Sequence, residues 1–106
     1  MSDSEKIREL NDDFRKRFVG DQVIITSGIA RLPNVVALLS QVRTYDSFRP
    51  EDDPYGEHDF GSLTFAHERI FWKIDYYNAD LTAGAEDPSD PEITKRILTV
   101  MLAQEC

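Results

Sequence analysis

Ile70, Trp72, Ile74 and Tyr76 alternate with Phe71, Lys73, Asp75 and Tyr77, and this period of two is the feature that most limits what the chain can fold into. Phe60, Leu63 and Phe65 precede it, separated by the polar break Ala66-His67-Glu68-Arg69, so the two runs read as one β-hairpin. A two-residue turn centred on His67-Glu68 predicts Leu63 facing Trp72, Phe65 facing Ile70 and Gly61 facing Ile74, an apolar face that helices must cover. The other face then carries Phe60, Ser62 and Thr64 opposite Asp75, Lys73 and Phe71, with His58 beside Asp75.

The remaining segments supply that cover. Ser2 and Glu5 have capping-box spacing, and Ile7, Leu10, Phe14 and Phe18 recur at helical intervals up to Gly20, which predicts a helix over 4–18. Gln22–Thr26 is a short β-branched run whose three adjacent apolar residues suggest a strand covered on both faces and added to the hairpin. Val35, Val36, Leu38, Leu39, Val42 and Tyr45 return to helical spacing after Pro33, and Phe48 folds back over that helix end. Asp90 as N-cap, Pro91 in the first turn and the stripe Ile93, Ile97, Val100 and Met101 predict a last helix. The expected architecture is α+β: a three-stranded antiparallel sheet (22–27, 59–65, 69–77) with a central hairpin, packed by helices 4–18, 33–45 and 91–104, in the order α-β-α-β-β-α. With 106 residues, the chain is read as one domain, 1–106, with one core.

Charge excludes some functions. Thirteen of the twenty Asp and Glu residues fall between 46 and 92, against Arg49, Arg69 and Lys73 alone. Such a surface repels nucleic acid and attracts basic partners. No apolar run approaches the roughly 18 residues that cross a bilayer, and the Met1–Lys6 start lacks the features of a secretory signal, so a cytoplasmic protein with no membrane partner is expected. The lone cysteine, Cys106, closes no internal disulfide.

The blocks Asp53-Pro54-Tyr55-Gly56-Glu57-His58-Asp59-Phe60-Gly61, Phe71-Trp72-Lys73-Ile74-Asp75-Tyr76-Tyr77, and Asp87–Pro91 with Thr94 and Arg96–Ala103 resemble a family of short bacterial proteins classed as a domain of unknown function. The resemblance runs from about Val23 onward. It implies a small cytoplasmic protein of a kind often carried on plasmids and integrating elements, and it brings no activity or cofactor with it. Cys106 stands where such proteins usually have an aromatic residue.

Two functional readings follow. In the first, the chain is a small acidic non-enzymatic binding protein whose partner has a basic surface, with Glu51, Asp52, Asp53, Tyr55, Glu57, Asp59, Asp80, Glu86 and Asp87 as the partner-binding residues. Together with the mobile-element resemblance, this suggests an inhibitor of a nucleic-acid-handling defence enzyme, of restriction or CRISPR type, acting through a DNA-mimicking face. In the second, the chain is a small hydrolase or metal-dependent enzyme in which His58 is a general base oriented by Asp75, with Lys73 stabilising negative charge. The first reading expects no metal and no cofactor. His67, at the far tip of the hairpin and ~20 Å from His58 along the strand, is no second imidazole ligand.

Overall fold

Ala66 and His67 both adopt left-handed backbone, φ 52° and 63°, the geometry of a two-residue type I′ turn. They join β2 (Phe60–Phe65) to β3 (Glu68–Tyr77) in the computed structural model, which describes residues 3–17 and 22–106. Gly61 faces Trp72, Leu63 faces Ile70 and Phe65 faces Glu68. The turn therefore lies one residue earlier than the sequence predicts, which slides the pairing by two positions. Because side chains alternate from face to face along a strand, a slide of two leaves every residue on its expected face. Ile70, Trp72 and Ile74 are buried, with Leu63 and Phe65 packed against them.

The expected last helix is a strand. Lys95–Leu102 forms β4 and sits second in a four-stranded sheet of order β1-β4-β3-β2. It runs antiparallel to β3, with Trp72 opposite Val100 and Ile74 opposite Leu98, and parallel to β1 (Val23–Ile25). The sheet is thus mixed and four-stranded, and β1 joins β4 rather than the hairpin. Physically, a central strand buried on both faces reads as a near-continuous apolar run, and such a run also satisfies helical spacing. Ile97, Leu98, Val100, Met101 and Leu102 are all buried, whereas Ile93, placed on the same stripe by the helical reading, is 42 % exposed. The expected N-cap, Asp90, builds a turn instead, its carboxylate accepting from Glu92 N at 3.0 Å, and just before it the Asp87 carboxylate accepts from Ser89 N at 3.0 Å.

β1 is an edge strand with Ile24 and Ile25 exposed, not the doubly covered strand expected. A short helix, α2 (Ser27–Ala30), follows, capped by Thr26, and then α3 (Val35–Arg43), capped by Asn34. The first helix, α1, spans Asp3–Arg17; the Ser2 half of the capping box, Phe18 and the Gly20 stop lie outside the described residues. Ile29 of α2 and Leu38 and Val42 of α3 pack with Phe14 and Phe48 on the Ile70–Trp72–Ile74 face. On the opposite face Phe60 and Phe71 meet across the hairpin at 5.2 Å between ring centroids, beside the ion pair Lys73–Asp75.

Trp72 is wholly buried and lies edge-on to Tyr45. Its indole occupies the space that a side chain at Gly61 would take, since a Cβ there would lie 2.3 Å from Trp72 Nε1. Gly61→Ala should therefore cost about 1–3 kcal/mol through overpacking, and Trp72→Ala about 3–5 kcal/mol through the cavity it leaves, both read from urea denaturation. A Trp72→Ala loss under about 1 kcal/mol would contradict this packing. Replacing Ala66-His67 by Asn-Gly, residues at ease with positive φ, should raise stability by about 1–2 kcal/mol in the same assay.

Candidate functional site

Past Phe48 the chain enters the acidic segment 49–59, and its backbone there is fixed point by point. Asp52 N and Asp53 N both donate to Arg49 O, at 3.0 and 2.9 Å, and Gly56 N donates to Asp53 O at 3.1 Å. Gly56 has φ 67°, a conformation glycine adopts without penalty. Asp53 is only 8 % exposed, and its carboxylate accepts from His58 N at 3.1 Å. Two residues of α1 reach across: Arg8 donates to Gly56 O at 3.3 Å and Asn11 Nδ2 to Glu57 O at 3.0 Å.

His58 sits where this segment meets the sheet. Continuing the β2–β3 register would set it opposite Asp75, the partner the sequence suggests, but His58 has φ 56° and the strand begins only at Phe60. That left-handed residue turns the imidazole away from Asp75. Nδ1 instead lies 2.9 and 3.2 Å from the two carboxylate oxygens of Asp12 on α1, so it carries the proton and donates. Nε2 stands 3.7 Å from Asp53 Oδ2. One ring face stacks parallel on Phe48 at 3.7 Å. Asp75 keeps to the far side of the sheet as the partner of Lys73.

Behind the histidine lies a polar network on the inward side of α1. Arg15, 2 % exposed, donates from Nε to Val42 O at 3.1 Å, from Nη2 to Tyr45 O at 3.0 Å and from Nη1 to Asp12 at 3.2 Å, with its guanidinium over the Phe48 and Trp72 rings. Asn11, wholly buried, also donates to the Tyr76 hydroxyl at 2.8 Å and accepts from Arg96 Nε at 2.6 Å. Tyr76 in turn donates to Glu57 at 3.2 Å, and Arg96 reaches Pro88 O at 2.6 Å. Burial lowers the pKa of both guanidiniums, Asp12 opposing this at Arg15 and Tyr76 at Arg96. Burial also pushes the Tyr76 hydroxyl well above its ordinary value. The Glu57 and Asp59 carboxyls are raised by burial first; at Glu57 the Tyr76 hydrogen bond opposes this, and at Asp59 the nearby Asp53 and Asp75 carboxylates add to it.

Chemically this is a clamp. Both imidazole nitrogens of His58 face carboxylates, and no hydroxyl or thiol hydrogen-bonds to the ring among the described residues. A pocket of about 220 Å³ opens beside it, between Asp12, Lys16, Arg43, Tyr45 and Phe48. Among the described residues no three His, Cys, Asp or Glu side chains are placed to hold a metal, and no helix is long and apolar enough to cross a membrane. The residues proposed for partner binding divide into two groups. Asp52 pairs with Arg49 at 2.7 Å, while Asp53 and Glu57 turn toward the network and Asp59 is half-buried beside them. Glu51, Tyr55, Asp80, Glu86 and Asp87 stand exposed. Sequence reasoning passed over Asn11, Asp12, Arg15 and Arg96. The available signals were Asn11 and Arg15 continuing the Ile7 face at four-residue steps, and an arginine bordering an apolar strand.

Residues 25–105 match the family described as Protein of unknown function (DUF3768). No curated protein and no solved structure matches the chain.

Since the folded state raises the Glu57 and Asp59 pKa values, the stability these groups contribute is fully present below their unfolded values and is lost as pH rises through the folded ones. Glu57→Gln, which keeps an oxygen for Tyr76, and Asp59→Asn should therefore raise the Tm at pH 7. The gap to the wild type should narrow as pH falls through the unfolded values of about 4.3 and 3.9 and close at about pH 3, where both carboxyls are protonated in either state. A lower Tm at pH 7 for both variants would overturn the assignment.

Proposed function

The chain belongs to the DUF3768 family, whose description carries no activity, and from the geometry above we propose that it is a non-enzymatic binding protein whose acidic surface engages a basic surface on a protein partner. The observation that carries this reading is the loop between β3 and β4. No lysine or arginine occurs between Lys73 and Lys95, while Asp80, Glu86, Asp87 and Glu92 all stand exposed. Asp80, Glu86 and Glu92 line a groove of about 370 Å³ together with Ala79, Ala83 and Ile93. The Ser89 hydroxyl, ahead of its backbone N–H, holds the Asp87 carboxyl below the usual range, so this charge persists into acid. Carboxylates spread over a surface favour lysine and arginine and disfavour nucleic acid. In its finer form the proposal is that the partner handles nucleic acid, as a restriction or CRISPR-type enzyme does, and that these carboxylates take the place of phosphates.

A second reading, a small hydrolase, draws on one observation: the 2.9 Å bond from His58 to Asp12 beside a pocket has the form of an oriented base. Here the orienting residue is Asp12 in place of Asp75. Turnover of an ester or phosphoester substrate that is abolished in His58→Asn, with Tm unchanged, would establish it.

The binding reading predicts that reversing Asp80, Glu86 and Glu92 to lysine leaves Tm within a few degrees of the wild type and abolishes partner binding. It also predicts that wild-type binding weakens steeply as salt rises and the Debye length falls from about 10 Å at 0.1 M to about 3 Å at 1 M. Pull-down from native lysate across a salt series measures both effects. Binding that ignores salt and survives charge reversal would remove the reading.

A further inference from the structure

Tyr55 is 76 % exposed, and its ring and hydroxyl make no hydrogen bond or ring contact among the described residues. A solvent-facing tyrosine alone is ordinary. This one differs in how firmly the chain beneath it is held. Two amides close on Arg49 O and one on Asp53 O, the buried Asp53 carboxylate ties down His58 N, and Arg8 and Asn11 grip the next two carbonyls. Ordering a loop and burying a carboxylate are both costly, yet they leave the largest side chain of the loop facing solvent. We propose that segment 49–58 is a preorganised insertion loop that seats the Tyr55 ring in an apolar pocket of the protein partner, a pocket bordered by lysine or arginine. This rests on the binding reading above and adds the anchor to it.

A rigid loop with an aromatic tip binds without a fresh ordering cost, and tyrosine offers a large apolar ring on only two rotatable bonds. Its hydroxyl calls for a polar group at the pocket floor. The basic border follows from the excess of carboxylate over guanidinium around the tip: Glu51, 67 % exposed, lies 3.9 Å from Arg49, which also pairs with Asp52 at 2.7 Å. The acidic β3–β4 loop lies at the same end of the sheet, linked through Glu57–Tyr76 and Asn11–Arg96–Pro88. The same carboxylates oppose anionic lipid.

The test replaces Tyr55 by p-benzoylphenylalanine in the full chain, with Val36, 80 % exposed, replaced likewise as a control, and irradiates each in lysate of the source cells. Position 55 should cross-link one protein, at apolar residues flanked by lysine or arginine, and position 36 should not. Against that purified protein, Tyr55→Ala with unchanged Tm should weaken binding about 30-fold or more, the size of an interface hot spot, and Tyr55→Phe should stay within about threefold. No cross-link from position 55, or Tyr55→Ala binding within about threefold of the wild type, overturns the proposal. So does Tyr55-dependent adsorption to phosphatidylcholine vesicles without a protein cross-link. A partner kept by Tyr55→Ala but lost on reversing Asp80, Glu86 and Glu92 overturns the anchor and leaves the binding reading standing. No partner for any form overturns both.

Discussion

The buried guanidinium of Arg15 is the interaction on which the rest of the arrangement hangs. It occupies two carbonyls at the end of α3 and the Asp12 carboxylate at once, and Asp12 then holds His58, which is hydrogen-bonded through its backbone to Asp53. An apolar helix face can rotate or slide over a sheet at modest cost. A forked cation that must meet three acceptors has only one seat. Asn11 does the same one turn earlier, joining Glu57, Tyr76 and Arg96. Removing one member of such a network strands its buried partners, which is costlier than never having buried them.

The hairpin was legible in the sequence because alternation every two residues admits few other structures, and the core face of Leu63, Phe65, Ile70, Trp72 and Ile74 survived a misplaced turn. The turn was misplaced because Ala66 and His67 both take positive φ without the glycine or asparagine that would mark them. The last element was misread for a different reason. Ile97 to Leu102 has no polar face to betray its period, so only its tertiary setting, between β1 and β3, decides for a strand. The His58 site failed at one dihedral angle: a register extrapolated past Phe60 points to Asp75, and φ 56° at His58 redirects the ring to a helix that no local pattern connects to it.

The acidic middle of the chain also sorts itself in a way composition cannot show. Asp53 and Glu57 are drawn inward, where the backbone of His58 compensates the first and the Tyr76 hydroxyl and the charge of Arg96 compensate the second, and Asp59 is half-buried beside them. Asp80, Glu86 and Asp87 stay on the surface with no base in their own loop. Equal charges thus do two unlike jobs: one group fixes the frame, and the other sets the field at the surface.

The position of β4 bears on how the protein comes to be folded. Val23 meets Leu98 and Ile25 meets Val100, so the first strand to be synthesised waits for the last before it can pair, and such non-local closure is slow. Until residues 95–102 emerge, β3 has only β2 beside it, and its other edge displays open amides and carbonyls next to Trp72 and Ile74. A nascent or truncated chain would offer that edge to any neighbouring strand, inviting exchange of β4 between molecules or aggregation. The strand that completes the sheet is therefore also what covers the edge of β3 beside Trp72 and Ile74.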